Sequence, residues 1–481
     1  MCTFLSNCCK DPSDFGHPQK ISEFCQSKNI SSIEKVNYVS CDNYVYDDSI
    51  YKSTIITEFN LYCDKQYLVD LSSSAYQAGF VVGYFFAGPL ASAFGRKTTT
   101  VFGFISISAF CFYAAFAPDI TNYIIARFLI AFSAAIYYNG SMNGMLELTG
   151  SKKRTLVNFI YSAGFSLGCL LLSYPFALFF NEWRDLQLAI GIFCLPFVVI
   201  LYFGVEESWK WKMEKNQVDE AKRVAQKIYK KQHKGKNQED LDKISDNIDS
   251  LIILANKDEE DHVSSTLLHK YKNLVKYKKI NLISLIIIII QFTACAVYWG
   301  INLSAGSLPG SDLFNNAALG LIELPGNLGM LFLAEKPKIG RKYFMMISLW
   351  GSGICYLTSV ILLNTGSQDC DGNNLQDTVG RILAFAGKMC IAGSTQTINQ
   401  YMSEFYSTDI RTEAFGVALT IGKIGSVIAP FIIGYFSDLL PFLPGIVFGG
   451  LCGLSGFLCI FLPETLGKPM VLKIHELNRS I

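Results

Sequence analysis

The sequence predicts an all-α membrane protein built from two parallel halves. It is 481 residues long, 51% hydrophobic and only 17% charged, whereas soluble proteins carry about 25% charged residues. Apolar windows of about 20 residues recur along the chain, and each is long enough to cross the hydrocarbon core as a helix. Short motifs of the first part of the chain return in the same order in the second part, which indicates two matching halves.

The repeated motifs lie where apolar windows end or begin. They are Glu147 to Arg154 with Glu404 to Arg411, Glu207 with Glu464, and Gly95, Arg96 and Lys97 with Gly340, Arg341 and Lys342. The first two pairs are each 257 positions apart, and the third is 245 positions apart. Chance is the alternative, since Glu and Arg are common at membrane edges, but three pairs in one order favour a repeat.

Residues 1–66 differ from the rest because they are polar and rich in cysteine. The six cysteines are Cys2, Cys8, Cys9, Cys25, Cys41 and Cys63. An even set in a polar segment favours a disulfide-bonded extracellular lobe. The alternative is a zinc site, which no Cys-x-x-Cys spacing supports. Asn29 begins an Asn-Ile-Ser glycosylation sequon, which is consistent with an exterior location.

About eleven spans follow this lobe. We place them near 70–92, 99–117, 122–145, 157–179, 187–204, 281–301, 314–334, 343–363, 379–402, 414–435 and 443–462. Lys and Arg concentrate in alternate loops, which the positive-inside rule assigns to the cytoplasm. The segments predicted are an extracellular lobe over 1–66, a first transmembrane half over 67–206, a cytoplasmic central loop over 207–280, a second half over 281–465 and a cytoplasmic tail over 466–481.

The central loop is polar and rich in lysine, with helices predicted over Val218 to Lys231 and Asp240 to Ala255. We interpret it as a solvated linker, with contact to anionic lipid heads as the alternative. An exterior lobe needs a way out of the cytoplasm, and Met1 to Lys10 lacks the apolar core of about 7–15 residues of a signal peptide. We therefore expect that the first transmembrane helix is missing, as in a truncated gene or splice form.

Charged side chains deep within predicted spans are the candidate binding residues. Such groups are costly in a membrane and usually face a bundle interior or a water-filled path. The candidates are Glu323, Lys388 and Lys423, with Gln396 two turns after Lys388 and the aromatic residues Tyr298 and Tyr161. The alternative for Glu323 is a structural pair with Lys388 or Lys423. Tyr298 and Trp299 both fit a membrane-interface belt, with stacking on an organic solute as the alternative for Tyr298.

Glycines at four-residue spacing predict close helix packing at Gly79 and Gly83 and again at Gly164 and Gly168. No catalytic constellation is visible, and the five histidines lie outside the spans. The sequence also lacks a P-loop, so direct ATP drive is unsupported. We predict no enzyme activity, no cofactor, no metal and no nucleic-acid partner, with the lipid bilayer as the surroundings and the oligomeric state left open.

Several motifs together resemble the organic cation, organic anion and carnitine transporters of the major facilitator superfamily. The motifs that carry the resemblance are Cys41 to Asp47, Ser53 to Glu58, Asn60 to Cys63, the Gly95, Glu147, Glu207 and Glu404 motifs, Trp183-Arg184 and Pro463 to Gly467. The resemblance covers about residues 41–470. The final Pro-Glu-Thr motif also occurs in sugar porters. The cysteine-rich lobe and its junction at Tyr46 and Asp47 distinguish the organic ion transporters from the sugar porters.

The resemblance implies the major facilitator fold, with twelve spans, alternating access and a central cavity. It places the lobe between the first and second spans, consistent with a missing first helix. It also implies a plasma-membrane, multi-pass carrier of small organic ions. The residues expected to latch its cytoplasmic gate are Gly95, Arg96, Lys97, Glu147, Arg154 and Glu207 in one half, and Arg341, Glu404, Arg411 and Glu464 in the other.

Departures from the family pattern bear on gating and on substrate charge. Ser92 and Ala93 stand where the family usually has Asp and Arg, and Trp209 replaces a proline. The Lys423 position is acidic in cation transporters and basic in anion and carnitine transporters. A positive cavity favours an organic anion or carnitine-like zwitterion, although Glu323 opposes this. The alternatives are a sugar-type facilitator and a truncated isoform that does not transport.

Overall fold

The computed structural model describes residues 52–61, 65–149, 154–173, 179–215, 217–232, 278–336, 338–365, 375–406 and 411–466. Within these ranges the regular structure is helical, apart from an isolated bridge between Ser53 and Glu182. The helices of the first part are α1 Ile55–Glu58, α2 Tyr67–Phe94, α3 Arg96–Ala115, α4 Ile120–Leu148, α5 Arg154–Leu171, α6 Trp183–Gly204, α7 Trp209–Glu214 and α8 Val218–Gln232. Those of the second part are α9 Lys278–Leu303, α10 Asp312–Leu321, α11 Glu323–Phe332, α12 Gly340–Thr365, α13 Leu375–Phe405, α14 Arg411–Ile433, α15 Tyr435–Leu439 and α16 Leu443–Leu458.

Each predicted span has a helical counterpart, and eight helices among the described residues are long and apolar enough to cross a membrane by length and composition. The other three counterparts are α5, α13 and the pair α10 and α11. Helix α5 has a shorter apolar stretch, Leu156–Leu171. Helix α13 contains Arg381, Lys388 and Gln396, which reduce its apolar character. The predicted span 314–334 is covered by α10 and α11, which meet at Ile322.

Helix packing repeats between the two halves. Helix α4 packs against α2 and α3, and α3 packs against α6; in the second half, α13 packs against α11 and α12, and α12 packs against α16. The halves meet where α2 packs against α14 and where α5 packs against α10 and α11. The Ser74 hydroxyl on α2 donates to the Val427 carbonyl of α14 at 2.9 Å. This packing provides two matched contact surfaces between the halves.

The helices α7 and α8 occupy the start of the predicted central loop. Lys212 on α7 pairs with Glu220 on α8 at 2.6 Å. Lys227 on α8 donates to Glu206, and this hydrogen bond lowers the pKa of Glu206 below its ordinary value. Helix α8 matches the predicted helix over Val218 to Lys231, whereas the predicted helix over Asp240 to Ala255 lies outside the described residues.

The predicted extracellular lobe, residues 1–66, lies mostly outside the described residues. Its six cysteines and Asn29 lie outside the described residues, and so do the predicted disulfides and glycosylation. The eight described cysteines are all free thiols: Cys111, Cys169, Cys194, Cys295, Cys355, Cys390, Cys452 and Cys459.

The glycine predictions divide into two groups. Gly79 and Gly83 on α2 pack directly against α4, and a Cβ added at Gly83 would lie 2.6 Å from the Ala135 Cβ. By contrast, a Cβ at Gly164 or Gly168 on α5 would meet nothing within 4 Å. The four-residue spacing therefore predicted close packing correctly on α2 and wrongly on α5, because spacing alone does not show which face has a neighbour.

We expect Gly83→Ala to lower thermal stability, because an extra methyl in a tight contact costs about 1–3 kcal/mol. Gly164→Ala, the matched control, is expected to be tolerated because the added methyl meets open space. Thermal unfolding of the two purified variants in detergent measures the difference. Equal unfolding temperatures would contradict the tight α2 to α4 contact.

Candidate functional site

The helix break at Ile322 places a carboxylate inside the bundle. Glu323 is the first residue of α11, and its side chain is buried, with 3% exposed. Pro325 has no N–H to donate to the Leu321 carbonyl, so the helical hydrogen bonding cannot continue through this turn. Gly326 permits a close approach to the Met389 carbonyl of α13. The break therefore brings Glu323 against α13.

Glu323 is the centre of a buried polar cluster. Its Oε1 lies 3.0 Å from the Lys388 Nζ and accepts a 2.6 Å hydrogen bond from the Tyr298 hydroxyl. Its Oε2 accepts a 3.2 Å hydrogen bond from the Ser166 hydroxyl of α5. The Lys388 side chain is fully buried, and its Nζ lies 3.0 Å from the centroid of the Tyr298 ring. Of the two structural partners considered for Glu323, the structure therefore selects Lys388.

Hydrogen bonds from α5 join this cluster to the first half. Ser162 lies one turn before Ser166, and its hydroxyl accepts hydrogen bonds from Asn327 Nδ2 at 2.6 Å and from Gln396 Nε2 at 2.8 Å. Asn327 is on α11 and Gln396 is on α13. Gln396 thus lies beside the Glu323 cluster, and two serines of the first half bind side chains of the second half.

Lys423 lies apart from the Glu323 cluster. Its Nζ is 4.9 Å from the Phe80 ring centroid and 5.2 Å from the Trp299 ring centroid. Among the described residues, no Asp or Glu lies within ion-pair distance of it. Trp299 is half-buried and packs against the core of the second half. Its interpretation as a membrane-interface belt residue is therefore wrong, because its ring faces Lys423 inside the bundle.

A line of aromatic rings runs through the first half. Tyr76, Phe80 and Tyr84 lie four residues apart along α2, and each ring contacts the next at 5.3 Å and 6.0 Å between centroids. The Tyr84 ring meets Tyr138 of α4 at 6.0 Å. Tyr138 contacts Tyr161 at 5.3 Å. The ring line therefore crosses from α2 through α4 to α5.

Tyr161 belongs to this ring line in the first half. Its hydroxyl lies 3.0 Å from the Ser141 hydroxyl. Tyr298, Glu323 and Lys388 form one group of contacts, which Gln396 adjoins through Ser162. The structure thus brings four of the six predicted binding residues together and leaves Tyr161 and Lys423 at separate positions.

The residues predicted to latch the gate form two clusters, called here the gating clusters. The first gating cluster lies where α2 ends and α3 begins. Arg96 pairs with Glu147 at the end of α4, with 3.1 Å between Nη2 and Oε1. Glu207 accepts hydrogen bonds from the backbone N–H groups of Arg96 and Lys97 at 2.9 Å and 3.1 Å. A carboxylate here satisfies free N–H groups and complements the positive end of the helix dipole. Ser208 completes the cluster by donating its hydroxyl proton to Glu147.

The second gating cluster repeats this geometry at the start of α12. Arg341 pairs with Glu404 at the end of α13 and also with Glu335 at 3.2 Å. Glu464 accepts from the backbone N–H groups of Arg341 and Lys342, each at 3.1 Å. The residue pairs found by sequence spacing therefore occupy equivalent positions in the two halves.

Arg154 and Arg411 are the first residues of α5 and α14. Their side chains lie outside the described ones, so their predicted part in gating stays a prediction.

Another ion pair anchors α1 to the opposite end of the first half. Arg184 donates to Glu58 at 2.6 Å through Nη2 and to the Ala117 carbonyl at 2.8 Å, while Trp183 Nε1 donates to Glu58 at 2.6 Å. Burial raises the pKa of Glu58, but the hydrogen bonds from Arg184 and Trp183 outweigh it and leave the pKa below its ordinary value. Glu58 therefore stays ionised at neutral pH, and its ion pair with Arg184 ties α1 to α6.

The family assignment follows from comparison of the whole chain with known proteins. Residues 18–476 match the family described as Sugar (and other) transporter. The chain belongs to this family. Its resemblance to organic ion transporters is also confirmed. It is 28% identical over 437 residues to the Organic cation transporter protein of Drosophila melanogaster, covering 91% of this chain and 76% of that protein.

A second relative is Solute carrier family 22 member 6-A of Xenopus laevis. The two are 25% identical over 446 residues, covering 92% of this chain and 75% of the relative. Among solved structures, the proton:xylose symporter XylE superposes with a TM-score of 0.62 at 17% identity, covering 87% of this chain and 90% of XylE. This likeness confirms the predicted major facilitator fold.

Sequence reasoning missed several residues of this transporter site. They are Tyr76, Phe80, Tyr84, Arg127, Tyr138, Ser162, Ser166 and Asn327. Two signals were available. Arg127 is the only charged residue of the predicted span 122–145, and the rings of α2 recur every four residues on one helical face. The serines carried no such signal, because Ser is common in membrane helices.

Proposed function

We propose that this transporter moves small organic anions or carnitine-like zwitterions across the plasma membrane by alternating access. The observation that carries the proposal is the distribution of charge. Glu323 is paired with Lys388, whereas Lys423 has no carboxylate within ion-pair distance among the described residues. The interior surface between Phe80 and Trp299 therefore carries a net positive charge beside two aromatic rings.

The sign of this charge decides substrate preference by a simple electrostatic argument. Two unit charges 4 Å apart interact by about 4 kcal/mol at an effective dielectric constant of 20. Lys423 therefore attracts an anionic group and repels a cationic one. The aromatic rings add an apolar surface for the organic part of the solute, and they accept the positive end of a zwitterion through cation–π contact.

In alternating access, the hydrogen bonds between the two halves would hold one state of the transporter closed. Ser166 donates to Glu323, and Ser162 accepts from Asn327 and Gln396. These bonds must break when α5 separates from α11 and α13. The two gating clusters instead join helices within one half each, so they hold the ends of α3 and α12 while the halves move as units. Arg154 and Arg411 would extend these clusters.

Two other substrate classes, organic cations and sugars, are alternatives, and an observation supports each of them. Glu323 would attract a cation if Lys388 released it, and one relative is named an organic cation transporter. The amide and hydroxyl groups of Asn327, Gln396 and Ser162 form the kind of neutral hydrogen-bonding surface that a sugar requires. Lys423, which has no carboxylate within ion-pair distance among the described residues, favours the anion over both.

Reversing the charge of Lys423 tests the proposal. In proteoliposomes containing the full chain, Lys423→Asp is expected to lower uptake of labelled hexanoate at least about tenfold, since tenfold corresponds to about 1.4 kcal/mol. It is expected to raise uptake of labelled tetraethylammonium. Labelled carnitine and xylose complete the substrate panel.

The matched control is Lys338→Asp, which makes the same charge change at an exposed lysine. It is expected to leave selectivity as in the wild type. Unchanged selectivity in Lys423→Asp would refute the charge argument. Xylose uptake alone would favour the sugar-type facilitator, and no uptake of any solute would favour the isoform that does not transport. Surface labelling of intact cells tests the plasma-membrane location.

A further inference from the structure

Positive charge is concentrated in the helices α7 and α8. Residues 209–232, which contain both helices, carry eight basic and three acidic residues, whereas the whole chain has a net charge of only +1. All three acidic residues come before Ala221. From there to its end, α8 has no acidic residue and five basic ones: Lys222, Arg223, Lys227, Lys230 and Lys231. The proposed transport and the gating clusters leave this charge without a role.

One face of α8 is basic and another is buried. Four of the basic residues follow the i, i+4, i+7 and i+8 spacing of a single helical face. They are Arg223, Lys227, Lys230 and Lys231, called here the basic face. The side chains of Arg223 and Lys227 are exposed, whereas Ala221 and Val224 are buried. Helix α8 thus packs against protein through small apolar side chains and leaves cations on its surface.

Contacts with the end of α6 set the level of α8 relative to the membrane. Tyr202 and Phe203 have exposed side chains near the end of this helix. Aromatic residues at the end of a span mark the level of the lipid head groups. Glu206 follows Phe203 by three residues, a distance of at most about 11 Å along the chain, and it accepts a hydrogen bond from Lys227. The middle of α8 therefore lies close to the head groups.

Helix α7 holds α8 in this place. Trp211 Nε1 on α7 donates to the Ser92 carbonyl of α2 at 2.9 Å. Ser208 caps the start of α7 and donates its hydroxyl proton to Glu147 of α4. An ion pair then joins α7 to α8. Because these contacts tie both helices to the first half, the basic face stays beside the membrane without the entropy cost of ordering a free linker.

We propose that the basic face of α8 binds the anionic head groups of the cytoplasmic lipid leaflet, with phosphatidylserine as the lipid class. The inference goes beyond the proposed function because it concerns the membrane and not the solute. Clusters of about 4–8 basic residues next to a membrane span attract anionic lipids. Helix α8 supplies five, of which Lys227 is also paired with Glu206. The attraction is electrostatic, so salt weakens it.

Amide hydrogen exchange of the full chain in lipid nanodiscs tests this inference. One preparation contains phosphatidylcholine alone, and the other contains equal parts of phosphatidylcholine and phosphatidylserine. We expect the amides of α8 to exchange at least about tenfold more slowly with phosphatidylserine, since each basic residue near an anionic surface accounts for about fivefold in affinity. Sodium chloride at about 1 M shortens the Debye length to about 3 Å and is expected to remove the difference.

Substitutions on the basic face assign the contact. The triple variant Arg223→Gln, Lys230→Gln and Lys231→Gln keeps the hydrogen bond from Lys227 to Glu206, so α8 stays tied to the end of α6. We expect its α8 amides to exchange alike in the two lipid compositions. The matched control changes three exposed lysines outside α8 to glutamine and is expected to keep the wild-type difference: Lys52, Lys336 and Lys338.

Equal exchange of α8 in the two wild-type preparations would overturn the inference without any variant, so it stays testable even if the triple variant fails to fold. A difference that persists at high salt or in the triple variant would also overturn it. Free phosphoserine added to the phosphatidylcholine nanodiscs separates a lipid surface from a soluble phosphate. Equal protection by phosphoserine would show that the basic face binds phosphate and not the membrane.

The outcomes are independent of the proposed function. Hydrogen exchange requires no solute, so a failed lipid test leaves the transport of organic anions standing. A chain that transports no anion would still show the lipid-dependent protection of α8.

Discussion

Glu323→Gln is expected to abolish transport and to destabilise the protein by about 3–5 kcal/mol, the usual effect of removing one partner of a buried ion pair. The substitution leaves the fully buried Lys388 ammonium without its counter-charge. It also replaces a carboxylate that accepts hydrogen bonds from Tyr298 and Ser166 by an amide that accepts them less strongly. Thermal unfolding of the purified protein and uptake of labelled hexanoate measure the two effects.

A double variant separates stability from function in this pair. Glu323→Gln with Lys388→Met removes both charges, and replacing a buried pair by groups of similar volume is often nearly neutral for stability. We therefore expect the double variant to regain most of the lost stability without regaining transport. Glu220→Gln removes an exposed carboxylate from a surface ion pair and serves as the control, with no measurable change expected. Wild-type stability in Glu323→Gln would contradict a charged Glu323–Lys388 pair.

The helices were predictable from the sequence because the membrane core requires long apolar segments with internally satisfied backbones. The end of α10 at Ile322 was not predictable from the sequence. Pro325 and Gly326 signalled a weak point, but whether a helix kinks or stops depends on the neighbour that it meets. Here Gly326 lies against the Met389 carbonyl, and that contact belongs to tertiary packing.

The composition of the candidate site was predictable, but its pairing was not. Both Lys388 and Lys423 lie mid-span, and the sequence offers no reason to prefer either as the partner of Glu323. The choice depends on the rotation of α13 and α14 about their axes. Packing fixes this rotation, directing Lys388 to Glu323 and Lys423 to Phe80 and Trp299. The charge balance on which the proposed function rests follows only from this pairing.

At the gating clusters, the repeated motifs predicted which residues are equivalent but not what those residues contact. Equal spacing identified Glu207 and Glu464 as equivalent residues. It did not show that each caps the first turn of the helix after a glycine. That role requires the chain after α6 and after α16 to return beside the starts of α3 and α12, which only the folded chain reveals.

Gly95→Ala is expected to be the most damaging single methyl addition in the first gating cluster. Gly95 has φ of 98° and ψ of 157°, a conformation that is essentially restricted to glycine and costs other residues about 1–3 kcal/mol. An added Cβ would also lie against the Glu207 carboxylate. Displacing this carboxylate removes the acceptor for the backbone N–H groups of Arg96 and Lys97. The loss of such a helix cap destabilises a protein by about 0.5–2 kcal/mol in addition.

Two companion variants determine which of these effects dominates. Gly450→Ala adds the same methyl where nothing lies within 4 Å, so it controls for the substitution itself. Glu207→Gln keeps the backbone of Gly95 but removes the charge at the helix end. If the cap is the main contribution, Glu207→Gln and Gly95→Ala will lower the unfolding temperature and hexanoate uptake alike. If backbone strain is the main contribution, only Gly95→Ala will do so.

Gly340 has φ of 68° and faces Glu464 in the same way, so the repeat predicts that Gly340→Ala reproduces the defect in the second half. A tolerated Gly340→Ala would show that the two clusters, although alike in geometry, contribute unequally to stability.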